Sequence, residues 1–530
     1  MKKQVIATII LLIATVYITV VYFKNLNTPG SHTSQLMATI PDNAALIFEY
    51  NNEQGFYDIF NQNKLLESVI GQEKINDIDT LRVELLNNHI LQQFFDGQNV
   101  FISLHPLKNQ NTDLLLTTAA GKGFDTVLMN QLEKKQNTGL IITSTRLGGK
   151  PGYSIYINII KKRFYVVNEE DGIFSGSFSE ELAEQAAAFK PKSDRKDFVL
   201  LSDRQNNNSL ADLYVNYSQI QPLFDQLFKN KNTDILRSFK LLPAMSVLSL
   251  NYKSDAFMFN GITTIETDEP LSYLNLFTGQ QPVVNHLKDI FPSTTAYSTN
   301  FSVSDPLKFE KDLALWHIKA GIKREKDSIF NKLTAETGVN LRIEFAQLLS
   351  NEFAIVTTRY QEKYAIVSLK DGSKLRPFMV NISHMVSDNA GQLNYNKLPF
   401  FLLGDAFSIF KKPYFMIVDN YLVLANSAEE LTSYNDSYLN RKFISKTDNY
   451  NQFNDLLSER SNVAFFINFK NALPILKRDL NDNFYDSLDK SEPGWKNFYG
   501  ASYQFSAADK NFYTNFCMKL NNIDTAAVKQ

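Results

Sequence analysis

The longest apolar run of the chain lies at its N-terminus, from Val5 to Phe23, and contains no charged residue. As a helix it would be about 28 Å long at about 1.5 Å per residue, close to the roughly 30 Å of a bilayer's hydrocarbon core. Lys2 and Lys3 precede the run, and only Lys24 follows it closely. By the positive-inside rule, the pattern predicts a transmembrane helix over 5–23 with residues 1–4 in the cytoplasm.

The end of this run favours a retained anchor over a cleaved secretory signal. Cleavage sites need small side chains, whereas residues 17–23 read Tyr-Ile-Thr-Val-Val-Tyr-Phe. A lipoprotein signal would need a cysteine just after the span, and the single cysteine is Cys517. Residues 24–35 are polar and contain Pro-Gly, which predicts a flexible stalk. We therefore expect a single-pass protein of the inner (cytoplasmic) membrane with its C-terminal ectodomain in the periplasm.

Beyond the stalk, stretches with helical spacing of apolar residues alternate with stretches of strand-like alternation. Helices are predicted at 55–71, 75–95, 123–135, from Ser179, at 306–320, at 373–387 and from Ala428. Strands are predicted at 100–104, 114–118, 140–145, 153–159, 163–168, 173–177, 247–252, 257–265, 352–358, 363–369, 406–410, 414–418, 421–425, 463–469, 499–505 and 511–519. This order favours an α+β fold with a largely antiparallel sheet.

Five short segments recur in the same order, at spacings of 251, 253, 250, 249 and 252 residues. The paired segments begin at Pro41 and Pro292, Asn99 and Glu352, Lys161 and Lys411, Phe178 and Ser427, and Leu213 and Phe465. The near-constant spacing predicts two diverged copies of one mixed helix/antiparallel-sheet domain. The expected ectodomain copies are 36–270 and 284–523, with a linker at 271–283 and a C-terminal tail at 524–530.

Composition excludes some classes of partner. The 530 residues include 54 basic and 56 acidic side chains and carry a net charge of −2, with no long run of one sign. Nucleic acid is therefore not an expected partner. One cysteine excludes an intramolecular disulfide, and Cys517, in a strand-like segment, is expected to be a small buried hydrophobe.

No motif selects catalytic, cofactor-binding or metal-binding residues, and none of these is predicted. The six histidines are His32, His89, His105, His286, His317 and His384, and no two lie within five residues of each other. His89 is expected on the buried or boundary face of a helix. Gly172–Gly176 lacks the spacing of a serine-hydrolase elbow, and a phosphate-binding loop is absent. A metal or active site assembled from residues that are far apart in the sequence is left as an alternative.

The chain combines a membrane anchor, a short stalk and the segment 40–60, which begins Ile-Pro-Asp-Asn-Ala-Ala-Leu-Ile-Phe-Glu and is partly repeated by residues 291–312. Together they resemble a group of bacterial membrane-anchored extracytoplasmic proteins of unknown function. The resemblance implies a cell-envelope location and assigns no functional residue. We expect a non-catalytic binding or scaffold protein with an envelope protein or lipid partner. The alternatives are a carrier of a lipid or other apolar ligand, and an envelope enzyme with a site between the two copies.

Overall fold

A computed structural model describes residues 33–53, 56–57, 72–107, 112–125, 127–134, 139–169, 172–190, 209–229, 242–253, 255–265, 272–482, 485–486 and 495–521. The predicted span 5–23, most of the helix expected at 55–71, and the tail 524–530 lie outside these ranges. Within them, no helix combines the length and the apolar character needed to cross a bilayer.

The strands are short to medium in length and the helices fall between them. The strands are β1 Leu46–Asn51, β2 Asn99–Pro106, β3 Thr112–Ala119, β4 Leu140–Leu147, β5 Lys150–Ile157, β6 Lys162–Asn168, β7 Ile173–Ser177, β8 Ala211–Asn216, β9 Ala244–Lys253, β10 Ala256–Ile265, β11 Val283–Val284, β12 Thr295–Ser302, β13 Leu349–Thr358, β14 Lys363–Leu369, β15 Ser383–Met385, β16 Ala390–Leu393, β17 Tyr414–Val418, β18 Tyr421–Ala425, β19 Arg460–Ser461, β20 Val463–Asn468, β21 Phe498–Ala508 and β22 Asn511–Leu520. The α-helices are α1 Thr33–Thr39, α2 Gln72–Leu81, α3 Gln92–Phe95, α4 Val127–Lys134, α5 Glu180–Ala188, α6 Tyr217–Leu227, α7 Pro306–Lys319, α8 Lys323–Thr337, α9 Leu341–Leu348, α10 Gly372–Asn381, α11 Leu398–Leu403, α12 Ala428–Leu439, α13 Asp448–Asn454 and α14 Phe469–Asp479. A π turn at Arg82–Leu86 and 3₁₀ turns at Tyr273–Phe277, Leu287–Ile290, Asp405–Ile409, Ile444–Lys446 and Trp495–Asn497 complete the set.

All strands except β11 and β19 join into one antiparallel sheet, which confirms the α+β class. The order is β4-β5-β6-β7-β3-β2-β1-β8-β9-β10-β22-β21-β20-β12-β13-β14-β18-β17-β16-β15. Each half contains ten strands of this sheet, and from the outer edge inward both halves have the same arrangement. The fourth to seventh strands of the half come first, then the third, second and first, and then the eighth, ninth and tenth. The last strands of the halves, β10 and β22, pair at the centre.

The strand registers of the two halves also correspond. Ile47 of β1 pairs with Tyr214 of β8, and Ser298 of β12 pairs with Phe466 of β20. The residue numbers in these two pairs differ by 251 and 252, which are the spacings found for the same parts of the chain in the sequence. Equivalent positions of the two halves therefore occupy equivalent places in the sheet.

An approximate two-fold axis passes through the centre of the sheet. Asn260 and Asn515 each lie four residues beyond the start of the second strand of their hairpin, β9–β10 or β21–β22. These two equivalent residues pair with each other across the β10–β22 junction. Self-pairing of equivalent residues is the mark of an isologous contact. The halves thus meet as the subunits of a symmetric dimer do.

Reciprocal contacts repeat this symmetry after helices α6 and α14. The contacts are a bridge between Phe228 and Leu480, a hydrogen bond of 2.8 Å from the Lys229 N–H to the Asp479 carbonyl, and one of 2.9 Å from the Asn481 N–H to the Leu227 carbonyl. Each hydrogen bond is the counterpart of the other after a shift of 252 residues. The axis is therefore fixed at two separate places in the fold.

The segment predicted as a linker, 271–283, contributes to the hydrophobic core. Its 3₁₀ turn buries Tyr273 and Phe277, and both rings contact Phe301 of β12 at centroid distances of 5.4 Å. Phe353 of β13 stacks on Phe301 at 5.6 Å and also lies 6.4 Å from Phe277. Helix α1 likewise begins at Thr33, so the last residues assigned to the stalk are helical.

Several sequence predictions agree with the structure at the level of single residues. Strands β7, β14, β17 and β18 have the predicted bounds. Ser179 caps helix α5, where its Oγ accepts a hydrogen bond of 3.3 Å from the Leu182 N–H. Cys517 is 3 % exposed in β22, and burial raises the pKa of its thiol to about 12.

Two predicted helices were wrong in part. The helix expected over 75–95 breaks after Leu86, where Asn88 Oδ1 accepts the Ile90 N–H at 3.1 Å and so competes with the helix backbone. His89 lies in this break and is exposed. The helix expected over 373–387 ends at Asn381, because the next residues pair as β15 with β16.

The strand predicted at 406–410 is also wrong. These residues form most of the 3₁₀ turn Asp405–Ile409. The turn buries Ala406, Phe407 and Phe410. Neighbouring residues 406 and 407 could not both face one side of a strand, whereas a turn with three residues per repeat brings 407 and 410 to one face.

Buried hydroxyl groups cross the junction on the core face of the sheet. Thr263 Oγ1 lies 2.5 Å from Ser246 Oγ and 2.6 Å from Thr514 Oγ1. Ser246 Oγ lies 2.9 Å from the Tyr217 hydroxyl, which in turn contacts the Tyr503 hydroxyl. Five side chains from both halves are thereby linked through strands β9, β10, β22 and β21. The chain of hydroxyls ties the halves together beneath the axis.

Replacement of Thr263 with valine removes the middle of this chain while keeping the side-chain shape. We expect Thr263→Val to lower the free energy of unfolding by about 1–3 kcal/mol, because buried hydroxyls on both sides lose a partner. Thr143→Val, at an exposed position on β4, should change it by no more than about 0.5 kcal/mol. Urea unfolding followed by circular dichroism compares them, and equal losses would contradict a role for the hydroxyl chain.

Candidate functional site

Polar side chains come together in three places that the sequence did not reveal. Two are buried networks, one in each half, and the third is an exposed face at the two-fold axis. Within the described ranges, the acidic, histidine and cysteine side chains form no group of three that could hold a metal ion. Each of the three places is therefore assessed for what its own side chains can do.

The first network joins Ser103, His105 and Asn43. Ser103 and His105 lie two residues apart on β2, so their side chains are on the same, outer face of the sheet. Asn43 lies in the loop before β1. His105 Nε2 is 2.7 Å from Ser103 Oγ, and His105 Nδ1 is 2.8 Å from Asn43 Oδ1. Since an amide oxygen only accepts, Nδ1 carries the proton and Ser103 donates to Nε2. Burial lowers the pKa of His105 to about 3, so its ring is neutral at physiological pH.

This order of groups matches a nucleophile, a base and an orienting residue. Ser103 and His105, however, are both 0 % exposed. The outer link of the network is Asn43, which reaches Gln185 of α5 at 3.5 Å. The network therefore holds the loop and α5 onto the sheet and gives a substrate no access. The available sequence signal was a serine in the strand predicted at 100–104 and a histidine two residues later, just past its predicted end.

The second network lies among helices α7, α8 and α9. Lys326 Nζ is 3.3 Å from His317 Nδ1, and Arg342 Nε is 3.4 Å from Glu310 Oε1. Burial lowers the pKa of Lys326, and burial together with the neighbouring Lys326 charge lowers the pKa of His317 to about 3. A desolvated lysine is a known kind of nucleophile.

The space beside Lys326 decides what this second network can do. Its cavity is about 10 Å³ and is lined mainly by apolar side chains, including Phe309 and Phe345. A cavity of that size holds about one water molecule. The network therefore has no room for a substrate.

An apolar cavity nearby bears on the carrier alternative. It is about 20 Å³ and is lined by leucines and by Phe345, Met379 and Ile382. Pockets that enclose drug-sized ligands measure roughly 300–1,000 Å³. Neither cavity has space for an acyl chain.

The third place is the outer face of the sheet at the axis. We call it the axial face and define it by Ser249, Asn251, Asn260, Ile262, Thr264, Tyr513 and Asn515. Ile262 and Tyr513 pair across the β10–β22 junction and are 38 % and 42 % exposed. Asn260 Nδ2 donates to the Tyr513 hydroxyl at 2.7 Å, and Asn251 donates to Asn260. The axial face contains no charged side chain.

A row of polar residues extends from the axial face beneath the covering elements on either side. Successive strands contribute Glu49, Asp212, Ser249, Asn260, Asn515 and Gln504, each paired with the next. Asp212 accepts from Ser249 Oγ at 2.7 Å, and burial raises the pKa of its carboxyl. Gln504 exchanges two hydrogen bonds of 2.9 Å with the Ser458 backbone. The polar groups towards both ends of the row thus have hydrogen-bond partners inside the protein, whereas the residues in the middle of the row belong to the exposed axial face.

Comparison of the chain with protein-family models, with curated proteins and with solved structures finds no match.

The buried imidazole of His105 predicts a pH dependence of stability. In the unfolded chain the imidazole has an ordinary pKa near 6.5, whereas in the folded protein it stays unprotonated until about pH 3. Stability from this group is therefore present above pH 6.5 and is lost as the pH falls, by up to about 1.4 kcal/mol per pH unit. His105→Gln should flatten the decline between pH 6.5 and 4 in urea unfolding. The exposed-site control His89→Gln should leave the slope unchanged, and equal slopes for His105→Gln and wild type would refute the assignment.

Proposed function

We propose that this chain is a non-catalytic binding protein of the bacterial cell envelope, tethered to the inner membrane by residues 5–23 with its ectodomain in the periplasm. The observation that carries the binding role is the axial face, which is exposed and uncharged and lies where the two halves meet. Depletion of charge with an exposed tyrosine is typical of the centre of a recognition surface. The anchor would keep this face close to the membrane.

We also propose that the ectodomain arose by internal duplication, with copies at 36–270 and 284–523. Three observations support this: the mirrored strand order, the matching registers and the self-pairing of Asn260 with Asn515. A fused pair of repeats creates a surface at its junction that neither repeat has alone. The binding face would then be a product of the duplication.

The enzyme alternative locates a site between the copies, which is where the axial face lies. That face offers hydroxyls and amides, but no carboxylate, imidazole or amine at its surface to move a proton or attack a substrate. The catalytic-looking groups lie instead in the closed networks around His105 and Lys326. Binding is therefore the function that this arrangement favours.

A C-terminal reporter tests the proposed location. Alkaline phosphatase fused after Gln530 should be active, because it folds only outside the cytoplasm, and green fluorescent protein at the same position should be dark. Fractionation should leave the fusion in the membrane pellet after a salt wash. An active fluorescent fusion, or release of the ectodomain into the soluble fraction, would overturn the proposed topology or the retained anchor respectively.

Photo-crosslinking tests the proposed surface. With a benzophenone amino acid at Ile262 of the full chain in its own membrane, we expect a discrete crosslinked species. The same probe at Tyr360, which is 61 % exposed in the β13–β14 turn, is the control and should give none. Identical patterns at the two positions, or none at either, would count against a binding role for the axial face.

A further inference from the structure

The dimensions of the axial face limit the kind of partner it can hold. Its residues lie on three strands, β9, β10 and β22, so it spans about 14 Å at roughly 4.8 Å per strand, and about 20 Å along them. Its area is therefore roughly 300 Å², less than half of the 800 Å² that each partner buries in a standard protein interface. A folded protein or a second copy of this chain would need a contact well beyond this face.

Backbone pairing excludes a further mode of protein recognition. An extended peptide gains its affinity by adding to a strand with unpaired N–H and C=O groups. Strands β9, β10, β22 and β21 lie at the centre of the sheet, each with a paired strand on both sides. A ligand of the axial face therefore meets side chains only.

The side chains define the chemistry of that ligand. Asn251, Asn260 and Asn515 supply amides that both donate and accept hydrogen bonds. Beside them, the Tyr513 ring and the Ile262 side chain form a small apolar platform, with the tyrosine hydroxyl held by Asn260 at 2.7 Å. No lysine or arginine is among the seven residues of the face to attract a phosphate or a carboxylate; Lys253 lies at its edge, two residues beyond Asn251 and next to the β9–β10 turn that contains Asp255. An acyl chain would leave the amides without partners.

A sugar ring combines the two features that this surface matches. Its hydroxyl groups each donate and accept, and its C–H face is apolar and weakly positive, as the negative face of an aromatic ring requires. We infer that the axial face is a binding site for a neutral oligosaccharide, with Tyr513 and Ile262 beneath a sugar ring and the three asparagines bonding its hydroxyls. This inference rests on the proposed binding function and specifies its ligand.

Direct binding tests the inference on the full chain in lauryldimethylamine oxide micelles, which carry no sugar. The probes are maltohexaose, cellohexaose, hexa-N-acetylchitohexaose and mannohexaose, with a heparin hexasaccharide as the anionic comparison. Saturation-transfer NMR and calorimetry should show saturable binding of at least one neutral hexamer and none of the anionic one. Binding of none of the four, or preference for heparin, would overturn the inference.

Variants show whether the binding uses this face. Tyr513→Ala should weaken the affinity at least tenfold, Asn260→Ala several-fold, and Tyr513→Phe less than threefold because the ring is kept. The control Tyr360→Ala removes a more exposed tyrosine ring elsewhere, 61 % against 42 % for Tyr513, and should leave the affinity unchanged. Circular dichroism checks the folding of each variant. Unchanged affinity in Tyr513→Ala would place the sugar elsewhere and overturn the inference.

The photo-crosslinker at Ile262 separates failure of this inference from failure of the binding function. A crosslink to an envelope protein would uphold a binding role and reject the sugar. A crosslink within the chain, for example to residues 191–208, would mean that the face is covered and would reject both. A glycan-bearing adduct, sensitive to periodate, is the result expected here.

Discussion

Antiparallel pairing of β10 with β22 is the contact on which the rest of the architecture depends. Each half of the sheet would otherwise end in a ten-residue strand with a row of unpaired backbone groups, which is an aggregation hazard. Equivalent antiparallel strands can pair with each other only about a two-fold axis, so this one contact dictates the mirrored strand order. It also dictates the self-pairing of Asn260 with Asn515 and, beneath them, the chain of buried hydroxyls centred on Thr263. Closing two edges at once makes one continuous sheet from the two halves.

The axial face follows from that junction and from an inequality between the halves. Two residues beyond the central pair, Ile262 and Cys517 occupy equivalent positions on β10 and β22. Cys517 is 3 % exposed and packs in a cluster with Phe453 of α13 and Tyr499 of β21, whereas Ile262 is 38 % exposed. The strands of the two halves are therefore related by symmetry, but the elements that cover their outer faces are not. A ligand on this face would meet one half's open surface and the rim of the other half's covering layer.

Local patterns in the sequence were sufficient for the strands and insufficient for the site. Alternation located β14, β17 and β18 to the residue, and repeated segments gave the offsets later seen in the strand registers. Prediction failed where another interaction overrides the apolar spacing: the Asn88 side chain bonds the backbone of its own segment, and Phe407 in the turn 405–409 packs against Phe301 and Phe353. Helices α6 and α14, which follow directly on strands, were not predicted. The axial face depends on the register between β10 and β22, whose paired residues are more than 200 positions apart in the chain, and a single sequence contains no signal for such pairing.

Divergence of the halves is constrained by the cost of buried charge. In each half one carboxylate pairs with one amide across the first two strands, with the two residue types exchanged: Glu49 with Asn99 at 2.8 Å, and Glu352 with Asn300 at 3.1 Å. Two carboxylates there would repel at close range, and two amides would lose the strong acceptor. On β1, Glu49 also accepts the Tyr214 hydroxyl at 2.7 Å. The equivalent of Tyr214 is Phe466, which has no hydroxyl, and Glu352 instead accepts the Leu287 N–H at 3.0 Å at the start of a 3₁₀ turn. The carboxylate thus lies in each half on the strand where a donor can reach it, so the two halves differ at these positions without burying an unpaired charge.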